Sequence, residues 1–196
     1  MAAEDASLLV LASASPRRSA LLTQIGVRHR VVPARLEEQR RGGEPIADCV
    51  RRLAVEKARQ VHALYPERPV LAADTAVVVD DLMLGKPRDR AEALGMLARL
   101  SAREHEVISA VALVYAGRTS SKLSHSRVRF RRLGRAECEA YWASGEPADK
   151  AGAYAIQGLG AVFIEALQGS YSGVMGLPLF ETGLLLAAAG VPVWQA

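Results

Sequence analysis

Short apolar runs alternate with stretches of helical periodicity through most of this chain, and the alternation predicts an α/β architecture around a mixed sheet. The run over residues 70–79 anchors it. Val70, Leu71, Ala72, Ala73 and then Ala76, Val77, Val78, Val79 read as a buried strand, interrupted by Asp74-Thr75. Residues 8–11 and 30–32 read as strands flanking a first helix. Ile46, Val50, Leu53, Ala54, Lys57, Ala58 and Val61 recur at helical spacing, which sets Lys57 on or near the inward face. Asp80-Asp81 makes a turn into a short return strand at Met83-Leu84. A helix over about 89–100 carries Ala91, Leu94, Leu97 and Ala98 on one face. Residues 106–115 and 120–130 read as a hairpin about Ala116-Gly117-Arg118. A helix over 135–143, a Gly-rich tract over 144–160, a strand over 162–166 and a helix over 178–189 complete the chain. No repeat or low-complexity linker interrupts it, so residues 1–196 read as a single domain.

Half of the 196 residues are hydrophobic and only 5% aromatic, so the core is built from Ala, Val and Leu. A formal charge of +4 and a pI near 9.3 suit a polyanionic partner or an enzyme that handles triphosphates. Cys49 and Cys138 fall in separate helical stretches, which points to neither a disulfide nor a CxxC metal site and places the chain in a reducing cytoplasm. Glu4 and Asp5 stand where a signal peptide needs positive charge, and no stretch has the length of a membrane span. Arg127, Arg129 and Arg131 alternate with Val128 and Phe130, as a half-solvated strand does. Without interleaved aromatic residues, this row gives no stable nucleic-acid complex.

Ser13-Ala14-Ser15-Pro16-Arg17-Arg18 follows the first strand, with Ser15 an N-cap, Pro16 in the first turn and Gly26 the stop. Such a turn offers an anion backbone N–H groups, the positive end of a helix dipole and forked Arg donors. Asp74 is the best general-base candidate, because a carboxylate inside an apolar run must be paired, metal-bound or catalytic; a turn-capping Asp is the alternative. Lys57 and Lys86 are candidate phosphate ligands, and Glu37-Glu38 candidate Mg²⁺ or Mn²⁺ ligands. Asp149-Lys150-Ala151-Gly152 and Gln157-Gly158 form a second polar cluster among small residues. The four histidines lack zinc spacing, and the chain has no P-loop, GxSxG, GxGxxG or HExxH pattern.

Taken in order, these motifs resemble the Maf family of nucleoside triphosphate pyrophosphatases over nearly the whole length. The match rests on Ser13 to Arg18, Glu56-Lys57-Ala58, Ala73-Asp74-Thr75, Gly85-Lys86-Pro87, Leu100-Ser101 with His105, Asp149 to Gly152, Ile156-Gln157-Gly158, Gly169-Ser170-Tyr171 and Gly176-Leu177-Pro178. The resemblance implies a two-lobed mixed-sheet α/β fold of the Maf and inosine triphosphate pyrophosphatase type, with a nucleotide cleft between lobes. It implies hydrolysis of a nucleoside triphosphate to monophosphate and pyrophosphate with a divalent cation, by a house-cleaning enzyme whose substrates extend to modified nucleotides. Asp74 maps to the base. Arg17, Thr75 and Gln157 map to the substrate-selecting positions and look like the dTTP and UTP subgroup, against a sister subgroup acting on 7-methyl-GTP. On this reading Ser13, Arg18, Lys57 and Lys86 hold phosphates, and Glu38 with Asp74 holds the metal. The expected partner is the nucleotide, with no membrane; a homodimer is left open. Ala102, Ser109 and Gly173 depart from the common pattern without touching the base or the lysines. A non-enzymatic nucleotide-sensing regulator of cell division is the alternative from another class.

Overall fold

The computed structural model describes residues 8–194, so Glu4 and Asp5 lie outside the described residues. Seven strands form one sheet: β1 (Leu9–Leu11), β2 (His29–Val31), β3 (Val70–Val79), β4 (Leu82–Leu84), β5 (Glu104–Tyr115), β6 (Arg118–Phe130) and β7 (Ile164–Gln168). Their order is β2-β1-β3-β5-β6-β7, with β4 paired to β3. The helices among the described residues are α1 (Pro16–Gln24), α2 (Ile46–His62), α3 (Arg90–Leu100), α4 (Arg135–Ala143), α5 (Tyr171–Met175) and α6 (Leu179–Ala188). The chain divides into two compact units. One gathers the described residues up to Asp74, Ser109–Ser124 and those from Gly176 onward; the other gathers Thr75–Ile108 and His125–Met175.

In the first unit β1 runs parallel to both β2 and β3, with Val10 opposite Arg30 on one side and Val70 on the other. Parallel neighbours need a crossover, which α1 and α2 supply. Leu9, Val10, Leu11, Leu22, Val50, Leu53 and Leu71 are buried in its core. Each such side chain stabilises the fold by about 2 kcal/mol. Cys49, on α2, is buried and free.

In the second unit Val77, Val78 and Val79 pair antiparallel with Leu84, Met83 and Leu82. The connecting Asp80-Asp81 adopts φ of 50° and 58°, the left-handed pair that a two-residue hairpin turn requires and that Asp tolerates. β6 and β7 are antiparallel. Phe130 is the centre of an aromatic cluster, 5.0 Å from His105 and 4.8 Å from Tyr154 between ring centroids.

Four local expectations are corrected. β3 continues unbroken through Asp74-Thr75, so Asp74 caps no turn; Thr75 itself and Val77 to Val79 beyond it are β-branched residues that favour extended backbone. Ser15 occupies the N-cap position of α1 but makes no side-chain capping bond; its own N–H donates to Ser13 Oγ at 3.2 Å. α3 buries Ala93, Met96, Leu97 and Leu100 while Ala91 and Ala98 are exposed, because burying Met and Leu stabilises more than burying Ala. The last strand starts at Ile164, since residues 159–163 form a 3₁₀ turn wrapped about Tyr141.

Candidate active site

Helical spacing on α2 brings Lys57 inward, and the polar position of β3 brings Asp74 to meet it. Lys57 Nζ donates to Asp74 Oδ1 at 2.6 Å, and the two residues are 6% and 5% exposed. The same Nζ lies 2.6 Å from Glu38 Oε1, whose side chain is 56% exposed. One ammonium therefore bridges two carboxylates, and their nearest oxygens are no more than about twice one ion-pair distance apart. Glu37 points elsewhere and accepts from Gln39 Nε2 at 2.7 Å.

Arg18 completes this group. Its Nε donates to the Gly176 carbonyl at 2.8 Å and its Nη1 to Ser13 Oγ at 3.1 Å. Burial lowers the Arg18 pKa, while Asp74 and Glu38 hold it up and Arg17 lowers it further; the guanidinium stays charged. Burial likewise raises the Asp74 carboxyl above its ordinary value, against the pull of Lys57 and Arg18. Two cations thus face two anions, and the quartet is charge-balanced. The exposed Glu38 contact is weak because solvent screens it, whereas parting Lys57 from Asp74 would strand a buried charge.

Glu38 and Asp74 offer hard carboxylate oxygens of the kind Mg²⁺ or Mn²⁺ takes together with phosphate oxygens, so the donor set fits such an ion. Among the described residues no cluster of three or more His, Cys, Asp or Glu could hold a metal unaided.

The remaining sequence candidates divide by unit. Ser13 is buried and Arg17 half-buried, both at the start of α1. In the second unit Thr75 is half-buried, while Lys86 and Gln157 are exposed. The Gly85 carbonyl, next to Lys86, accepts the Gly152 N–H at 3.0 Å. Gly152 itself sits at φ +70°, where an added Cβ would lie 2.9 Å from Val77 Cγ1, so the close approach needs glycine. Residues 155–160 carry Gln157 and are held by Tyr141 and Glu146, which sequence reasoning did not single out; the glycines at 158 and 160 are the one signal of their presence. The basic row on β6 is a solvated face. Arg127 and Arg129 are exposed, and Arg131 is engaged by Glu137 and the Val162 carbonyl. No described helix is long and apolar enough to cross a membrane.

The family model "Maf-like protein" matches residues 8–189. A dTTP/UTP pyrophosphatase of Bordetella parapertussis is 52% identical, over 97% of this chain and 97% of its own length. Proteins of the same name from Methylococcus capsulatus and Saccharophagus degradans are 54% and 49% identical, over 97% and 98% of this chain and 95% and 93% of their own lengths. With its motifs falling in order on the first turn, on β3 and on the loops after it, the chain belongs to the Maf family.

Proposed function

We propose that this protein is a nucleoside triphosphate pyrophosphatase that hydrolyses dTTP and UTP to the monophosphate and pyrophosphate. The observation that carries the chemistry is the buried Asp74 carboxylate held by Lys57, with Glu38 as a second oxygen donor and Arg18 beside them. The substrate pair is supported by the names of full-length relatives at about half identity.

In the reaction, water attacks the α-phosphorus. A P–O bond forms there, the bridging α–β P–O bond breaks, and pyrophosphate leaves with that bond's electron pair. Asp74 accepts the proton lost by the water. Lys57 keeps the Asp74 oxygen in place, and Ser13 and Arg18 hold phosphate oxygens. Because the Lys57, Arg18, Asp74 and Glu38 charges cancel, the excess negative charge of a triphosphate calls on Lys86 and a divalent cation. Glu38 and Asp74 would hold that Mg²⁺ or Mn²⁺, which supplies charge stabilisation to the phosphate oxygens when bound. Arg17, Thr75 and Gln157 select the base; the Gln157 amide offers both a donor and an acceptor, as a pyrimidine edge requires.

Pyrophosphate release from a panel of normal and modified triphosphates, with Mn²⁺ or Mg²⁺ and again after chelation, tests the reading. Turnover of dTTP and UTP above the rest, lost on chelation, is expected. Preferential turnover of 7-methyl-GTP would move the chain to the sister specificity, and tight dTTP binding without turnover would make it a sensor.

A further inference from the structure

Gln157 is exposed on a segment without regular secondary structure, yet the backbone on either side of it is tied down. Before it, the Ala155 N–H donates to Tyr141 Oη at 3.1 Å. After it, the Leu159 and Gly160 N–H groups donate to the two Glu146 carboxylate oxygens, each at 3.0 Å. The two acceptors are themselves joined, Tyr141 Oη donating to Glu146 Oε1 at 2.7 Å. Tyr141 is fixed by α4 and by an edge-on contact with Phe163 at 4.9 Å, so the clamp stands on a packed element. A Cβ on Gly158 would fall inside the Glu146 carboxylate, and one on Gly160 would lie 2.7 Å from Tyr141 Oη. The segment therefore closes around the pair.

From this geometry we infer that Tyr141 and Glu146 are positioning residues for Gln157, holding its backbone in one conformation so that its amide meets the base already oriented. The inference rests on the reading of Gln157 as a base-selecting residue. Ordering a loop residue carries a conformational-entropy cost. A side chain borne on a segment ordered in advance spares that cost at binding and keeps its selectivity against wrong partners. Three donors converging on one carboxylate also explain a charged group at a half-buried position.

The test is a cycle of kinetic measurements on the full chain with dTTP and dGTP in Mn²⁺. Glu146→Gln should lower the dTTP-over-dGTP ratio of kcat/KM by about tenfold, with the loss in the KM for dTTP, since residues acting through one contact couple strongly. In a Gln157→Ala background the same substitution should change that ratio by less than about twofold. Tyr141→Phe, which keeps the ring against Phe163, should act in the same direction and carries the test if Glu146→Gln does not fold. Retained selectivity in Glu146→Gln and Tyr141→Phe, or losses that multiply with Gln157→Ala, would overturn the clamp while leaving Gln157 as the reader. Unchanged selectivity in Gln157→Ala alone would overturn the base-reading role and the clamp with it.

Discussion

Lys57 Nζ sits 2.6 Å from Asp74 Oδ1 with both side chains closed to solvent, and this ion pair joins the middle of α2 to the middle of β3. A pair so placed is a poor investment in stability alone, because desolvating two charges costs about as much as their attraction returns. Its presence at the one charged position of β3 is what makes it a catalytic candidate.

Asp74→Asn should therefore fold and lose at least about a hundredfold in turnover, the scale of removing a general base. Pyrophosphate release and a melting curve on the same preparation check it. Full activity in the variant would remove Asp74 from the role of base.

Removing the cation is expected to do something different. Lys57→Met leaves the Asp74 carboxylate buried without its ammonium and should cost about 3 kcal/mol of folding stability, read by urea unfolding. Adding Asp74→Asn to that variant should restore part of the loss, because the stranded charge is gone. Equal stability of the single and double variants would show that the pair does not share a buried charge.

His105 supplies a pH signature in the second unit. Burial lowers its pKa from 6.5 to about 4, its Nε2 lies 2.8 Å from Tyr154 Oη, and its Nδ1 has no hydrogen-bond partner. The unfolded chain then binds the proton more readily than the folded one, so this contribution is fully present above pH 6.5 and is lost as pH falls towards 4. The full span is about 3 kcal/mol. His105→Phe should flatten stability against pH over that interval, and an unchanged slope would refute the assignment.

Glu44 sets a second, more acidic window. It accepts from Arg52 Nε and Nη2 at 2.7 Å each, and the Arg52 hydrogen bonds draw its pKa from 4.5 down to about 2. Its contribution is present above pH 4.5 and lost as pH falls through about 2. Glu44→Gln should remove stability at neutral pH and shift the onset of acid unfolding upward, followed by circular dichroism during an acid titration.

How far the site could be read in the sequence depends on how local its cause is. Lys57 was legible because the spacing of α2 decides which way it points, and Asp74 because a lone charge in an apolar strand is conspicuous. The preference for Glu38 over Glu37 came with the family resemblance and not from local pattern. The segment between β2 and α2 has no periodicity, and only the reach of Lys57 decides which carboxylate turns inward. The face of α3 was misread because Ala counts as apolar in a pattern but weighs little in burial. Tyr141 and Glu146 escaped notice because their work is done on backbone N–H groups, which leave no trace in side-chain pattern.

The collision between a side chain at 158 and the Glu146 carboxylate has a mutational corollary. Both changes act on the same contacts: a residue larger than glycine at 158 displaces the Glu146 carboxylate, and shortening 146 removes the acceptor of the Leu159 and Gly160 N–H groups. A single substitution at 146 or 158 therefore loosens the segment that carries Gln157, and the two positions are coupled. Directed libraries that vary 146 and 158 together would sample pairs in which one change accommodates the other, which single substitutions do not.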